Sequence, residues 1–219
     1  MQGYPPSSAI VLAGGVSRRL GQDKRHLRLW GAAGPTLLEH VVAIVAQLCA
    51  DVVVVLNDPA AWGNLPARLA PDIYTGGGSL GGIYAGLMAA KHTYALAVAC
   101  DMPFLDTGLI GAMLARPRNY DLLVPRSLQP GTVRNTLAVE PLHAIYAKAC
   151  LAPMRATLES GQRQIASFFP AIRVAYIEPD ETRRYDPAGR SFLNINTPEQ
   201  MAEAERVLSV QSSNDKMTR

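Results

Sequence analysis

Apolar residues fall along this chain in two kinds of stretch, and the two kinds alternate. Short aliphatic runs without polar alternation occur at 8–13, 52–55 and 94–100. Runs of this kind predict strands buried on both faces. They give way to Gly14, Asn57 and Asp101. Between them the apolar positions take a helical period. Leu37, Leu38, Val41, Val42, Val45 and Leu48 recur at that spacing, and Thr36 with Glu39 outlines a capping box at the start. Further helices are predicted over 80–90, 108–115 and 148–160. Another runs from Thr197-Pro198 to about 210, with Thr at the N-cap and Pro at the first helical position. Shorter strands are predicted at 68–71, 121–125, 173–177 and within 137–146. Extended pieces are expected at 27–30 and 192–196, and a helical turn at 165–169. Segments 58–66, 126–134 and 179–189 have the composition of loops, the last of them charged.

Strands alternating with helices predict a three-layer α/β fold around a mostly parallel sheet, with a right-handed crossover in the first strand–helix–strand unit. One domain over 1–210 accounts for the pattern, followed by a polar tail at 211–219 that is expected to fray. Internal repeats and low-complexity linkers are absent from the sequence.

Composition narrows the function. With 48% apolar and 18% charged residues the chain fits a compact soluble globule. A net charge of +3 does not supply the concentrated basic face that nucleic acid requires, so no nucleic-acid partner is expected. No apolar run approaches the roughly 20 residues that span a bilayer, and 1–8 lacks the apolar core of a secretion signal. Cys49, Cys100 and Cys150 are too widely spaced for a metal cluster and too few for a disulfide framework, which fits a reducing cytoplasm.

The chemistry gathers at the strand ends. In an open α/β sheet, ligands sit outside the carboxyl ends of the strands. Gly14-Gly15, Asn57, Asp72 and Asp101 all belong to that edge, and polar or glycine residues at four corresponding strand ends suggest one convergent site. The run Leu12-Ala13-Gly14-Gly15-Val16-Ser17-Arg18-Arg19-Leu20-Gly21-Gln22-Asp23-Lys24 turns from strand into glycine and then into basic residues. Backbone N–H groups beside Arg and Lys are what a chain of phosphates needs, although a solvated basic loop has the same composition. The run is neither a P-loop nor a dinucleotide-binding fingerprint. Asp101 would repel phosphate unless a cation such as Mg²⁺ stood between them; the plainer role for an Asp after a strand is a local cap. Residues 76–82 form a second glycine-rich stretch, suited either to a flat base against the backbone or to a simple turn. Asn196 could contact metal or phosphate, or merely cap the following helix. His26, His40, His92 and His143 match no metal or triad spacing, and Cys100 has the setting of a small core residue.

Taken together, the loop from Leu12 to Lys24, Cys100-Asp101-Met102-Pro103, Pro141-Leu142-His143-Ala144-Ile145-Tyr146, Gly161-x-Arg163 and Asn194-Ile195-Asn196-Thr197-Pro198-Glu199 resemble the molybdenum cofactor guanylyltransferase family, in order, across roughly 10–210. The resemblance implies a Rossmann-like nucleotidyltransferase fold. It also implies transfer of GMP from GTP to molybdenum-bound molybdopterin, with Mg²⁺ as cofactor and pyrophosphate released. By the same resemblance, Leu12, Ala13, Gly14, Gly15, Asn57, Asp72 and Gly82 would line the nucleotide site. Lys24 and Arg19 would meet phosphate, Asp101 would hold Mg²⁺, and Asn196 would stand near metal and acceptor. Hand-over to molybdoenzymes or cofactor-insertion partners is a further implication. The chain departs from the usual pattern in carrying Ser79 and Gly81 where the family commonly has Pro and Ala in the base-facing turn. Transferases using CTP or a sugar phosphate share much of this pattern, as would a non-catalytic carrier of nucleotide or cofactor; retained Asp101 and Lys24 argue for turnover.

Overall fold

The computed structural model describes residues 4–14, 23–58, 62–74, 76–128 and 138–217, with side chains as far as 209. Its centre is one seven-stranded sheet of β1 (Ser8–Leu12), β2 (Asp51–Val55), β3 (Arg68–Ala70), β4 (Tyr94–Ala99), β5 (Leu122–Pro125), β6 (His143–Ala147) and β7 (Val174–Ile177). The spatial order is β3-β2-β1-β4-β6-β5-β7. Neighbours run parallel except on the two sides of β6, which is antiparallel to both β4 and β5. The expected α/β fold with a mostly parallel sheet is therefore what forms.

The sheet is buried on both faces, which is why its strands read as unbroken aliphatic runs. Ala9, Val11, Val52, Val54, Leu96 and Val98 pack on one face against α1 (Leu37–Ala46) and α3 (Thr107–Ala115). Ile10, Val53, Val55, Ala95 and Ala97 pack on the other against α2 (Gly78–Ala89) and α4 (Leu151–Glu159). Each fully buried aliphatic side chain of this kind is worth roughly 1.5–3 kcal/mol. Helix α2 lies especially close to β1. A Cβ at Gly86 would stand 2.3 Å from Ile10 Cγ2 and 3.1 Å from Val55 Cγ2, so glycine is what admits the helix.

Helix starts follow the sequence. Thr36 Oγ1 accepts from the Glu39 N–H at 3.2 Å and Glu39 Oε2 accepts from the Thr36 N–H at 2.7 Å, completing the capping box of α1. At α6 (Pro198–Met217), the Gln200 N–H donates to Thr197 Oγ1 at 3.3 Å. Gln200 Oε1 in turn accepts from the N–H groups of Asn196 at 2.8 Å and Thr197 at 3.2 Å. That exchange fixes the backbone on which Asn196 is carried.

Four local readings are corrected. Segment 179–189, expected as a loop, contains α5 (Pro179–Tyr185). Pro179 opens it, Asp180 and Glu181 sit in its first turn, and Arg183 and Arg184 sit in its last, in keeping with the helix dipole. Its low apolar content left no periodic signal. Helix α6 continues past 210 to Met217, since the polar segment holds no Gly or Pro to stop it. The glycine-rich turn at 79–82 is the opening of α2, which begins at Gly78. Of residues 192–196, expected to be extended, Phe192 instead closes a 3-10 turn at Arg190–Phe192, while Leu193 after it is extended without joining the sheet.

Candidate functional site

Beyond the carboxyl ends of β1, β2, β3 and β4 the sheet opens into a cavity of about 560 Å³. Leu12 and Gly14 line it from the end of β1, Asn57 from the end of β2 and Asp72 from the end of β3. Asp101 lines it from the end of β4, and Gly76, Gly78, Ser79 and Gly82 from the start of α2. The strand ends are locked in register. The Ala13 N–H donates to Val55 O at 2.9 Å, Cys100 to Leu12 O at 3.0 Å and Leu56 to Ala70 O at 3.1 Å. Ala13 itself is buried and does not line the cavity, its N–H spent on Val55. Gly15 and Arg19 lie outside the described residues.

Helix α2 presents its N terminus to this space. Gly76 and Gly78 take φ of 75° and 61°, which a side chain would strain, and among the described residues no side chain caps the helix. Uncapped N–H groups with the positive end of the helix dipole favour an anion. Asp72 Oδ1 accepts from the Tyr74 N–H at 3.0 Å, which pins the loop leading into α2.

Three polar side chains meet at the cavity floor. Lys24 Nζ lies 2.5 Å from Asp101 Oδ2 and 3.0 Å from Asn196 Oδ1. Lys24 is delivered by a 3-10 turn at Lys24–His26, whose N-cap Asp23 accepts from the Arg25 N–H at 3.0 Å. The Arg25 guanidinium bridges Asp23 and Asp58 and lies over the Trp62 ring, 5.7 Å from its centroid. The Arg25 hydrogen bond holds the Asp23 carboxyl below the usual carboxylate range. This clamp ties the Lys24 turn to the loop after β2, and the sequence reading missed it. Asn196 is brought in by the Ile195 N–H, which donates to Asp101 O at 3.0 Å.

Asp101 is buried, and its Oδ1 has no hydrogen-bond partner among the described residues. No group of three or more His, Cys, Asp and Glu side chains is placed to hold a metal among those residues. One carboxylate with a free buried oxygen suits a cation that takes its other ligands from water and phosphate, as Mg²⁺ does. Burial pushes the adjoining Cys100 thiol up to about 12, which keeps it protonated and inert.

A second cavity of about 610 Å³ adjoins the first, and Asn194 and Asn196 line both. Its other walls include Ser127, Glu140, Arg190, Phe192 and Gln200. His143 lies behind Phe192, their ring centroids 5.1 Å apart and edge to face. It is fully buried with both ring nitrogens unpartnered among the described residues, and burial pushes its pKa down to about 4.

Comparison with known proteins agrees with this architecture. The family model described as "MobA-like NTP transferase domain" matches residues 9–174. The chain is 44% identical over 195 residues to a probable molybdenum cofactor guanylyltransferase of Chloroflexus aggregans, covering 89% of this chain and 91% of that one. It is 36% identical to the molybdenum cofactor guanylyltransferase of Desulfosudis oleivorans, covering 92% and 95%. Among solved structures it superposes on molybdopterin-guanine dinucleotide biosynthesis protein A of Archaeoglobus fulgidus with a TM-score of 0.76 and 28% identity, covering 92% of this chain and 98% of that one. A Thermus thermophilus 2-C-methyl-D-erythritol 4-phosphate cytidylyltransferase shares the fold at 21% identity and a TM-score of 0.65, covering 92% and 98%.

Proposed function

The chain belongs to the MobA-like NTP transferase family, and on that footing we propose how its site transfers GMP from GTP to molybdenum-bound molybdopterin. Leu12, Gly14, Asn57, Asp72 and Gly82 hold the nucleotide in the cavity of about 560 Å³, with the α2 N terminus toward its negative charge. The acceptor occupies the adjoining cavity, which reaches the same floor through Asn194 and Asn196. The observation that carries this reading is the meeting of Lys24, Asp101 and Asn196 where the two cavities join.

An oxygen of the acceptor's terminal phosphate forms a bond to the α-phosphorus of GTP. The bond from that phosphorus to the bridging oxygen breaks, and pyrophosphate leaves with the electron pair. The nucleophile is already an anion, so no strong general base is needed; positioning and neutralisation of charge suffice. Lys24 turns its ammonium from Asp101 toward phosphate oxygen, and Asn196 orients it. Asp101 Oδ1 would hold Mg²⁺, which would supply positive charge to offset that of the phosphates.

Among the described residues no helix is long and apolar enough to cross a membrane. We infer that the protein works in the cytoplasm, where its buried, unpaired cysteines are stable, and passes its product to molybdoenzymes or cofactor-insertion partners. The test is pyrophosphate release by purified protein with Mg²⁺, molybdenum-bound molybdopterin and either GTP or CTP. Turnover with GTP is expected. Turnover with CTP alone would reassign the base, and none with either would overturn the reading.

A further inference from the structure

Of the two carboxylates in the wall of the acceptor cavity, Glu140 and Glu203, the first has the more enclosed setting. Glu140 is fixed between the end of β5 and the start of β6. Its N–H donates to Pro125 O at 2.9 Å, and its carbonyl accepts from the His143 N–H at 3.0 Å. Burial raises its carboxyl above the usual range; Ser127 supplies one hydrogen bond, and no basic partner among the described residues offsets the burial. Glu203, the other carboxylate in that wall, is exposed on α6 and pairs with Arg206 at 2.9 Å. Glu140 is half-buried and lines the cavity, and a partly desolvated carboxylate with spare acceptor positions is stabilised by a ligand that brings donors to it. Phe192, in the same wall, offers an aromatic surface held edge-on by His143.

We propose that Glu140 selects the pterin of the acceptor: its carboxylate accepts from the ring N3–H and the 2-amino group, with the heterocycle laid against Phe192. The inference rests on the GMP-transfer reading for the acceptor's identity. The chemistry is that of the 2-amino-4-oxopyrimidine edge, which offers two parallel donors to one carboxylate. Guanine carries the same edge, but Glu140 lines the second cavity and is absent from the wall of the nucleotide cavity. A site built to pair with a ligand N–H rejects an analogue lacking it far more strongly than a merely apolar site does.

The test compares wild type with Glu140→Gln, which keeps the shape and exchanges one acceptor for a donor. Binding of pterin-6-carboxylate and of lumazine-6-carboxylate, which bears oxygen in place of the 2-amino group, is followed by quenching of the ligands' fluorescence. The wild type is expected to prefer the pterin by about tenfold or more, and Glu140→Gln to lose that preference. In turnover, Glu140→Gln should raise KM for molybdenum-bound molybdopterin by about tenfold, leaving KM for GTP and the thermal midpoint unchanged. Equal binding of the two heterocycles by wild type, an unchanged preference in Glu140→Gln, or a rise in KM for GTP instead would each overturn the assignment. A wild type that prefers pterin yet transfers no GMP would sustain the pterin site while overturning the transfer reading.

Discussion

Lys24 and Asp101, 77 positions apart in sequence, meet at 2.5 Å through one carboxylate oxygen, while the other oxygen of Asp101 stays buried with no partner among the described residues. One carboxylate thus holds the lysine with one oxygen and leaves the other for the cation of the proposed function. On the proposed function, a nucleoside triphosphate would draw Lys24 to its phosphates and leave the Asp101 carboxylate to the cation.

Asp101→Asn keeps the shape and removes the charge. Pyrophosphate release should fall by about 10²–10³, the scale of losing one positioned electrostatic group. Raised Mg²⁺ should recover little of it. The thermal midpoint should hold, because the Asp101 backbone carbonyl still accepts from Ile195. Near-normal release would remove Asp101 from the metal role.

Lys24→Ala should weaken GTP binding by about tenfold or more in titration calorimetry. Asn196→Ala should chiefly lower kcat, because it frees the lysine from its second anchor and leaves the charge in place. Unchanged GTP affinity in Lys24→Ala would exclude the phosphate contact.

Gly86→Ala sets two opposing effects against each other. Alanine gains about 1 kcal/mol of helix propensity over glycine. Overpacking a fixed core costs about 1–3 kcal/mol, and the new Cβ would stand 2.3 Å from Ile10 Cγ2 in fully buried surroundings. With an overlap this deep the cost falls in the upper part of that range, and the clash should win by up to about 2 kcal/mol, read as a lower urea midpoint at constant slope. A stabilised variant would show that α2 can lift from β1.

His143 makes the fold acid-sensitive. The unfolded chain takes up its proton near pH 6.5, and the native chain refuses it down to about 4. More protons are therefore bound in the unfolded state across that window, and stability from this residue falls as pH falls through it. Between pH 7 and 5 the wild type should lose about 2 kcal/mol more than His143→Phe in urea unfolding. Equal losses would mean that the native state protonates His143 without strain.

Much of this was legible in the sequence wherever one physical signal acts locally. Aliphatic runs ending in glycine, Asn or Asp located β1, β2 and β4 and the edge where Gly14, Asn57 and Asp101 stand. Thr36 with Glu39 marked the α1 start because both partners lie within one turn. Pairings set by tertiary folding were not legible. Arg25 reaching Asp58, Lys24 held by Asp101 and Asn196, and Glu140 turned into a second cavity all depend on strand order, which local patterns do not encode. Helix α5 escaped notice because it is held by charge placement and by the Arg116–Glu181 ion pair, which leave no apolar period.

Strand β6 runs against its neighbours, pairing His143 with Val98 near the end of β4 and Ala147 with Tyr94 at its beginning. The connection entering β6 therefore arrives at the same rim that the parallel strands leave. Leu12, Gly14, Asn57, Asp72 and Asp101 line the first cavity from the exits of β1 to β4, whereas Ser127 and Glu140 line the second from within the β5–β6 connection. On the proposed function, one reversed strand thus sets part of the acceptor's wall on a connection apart from the four exits that face the nucleotide.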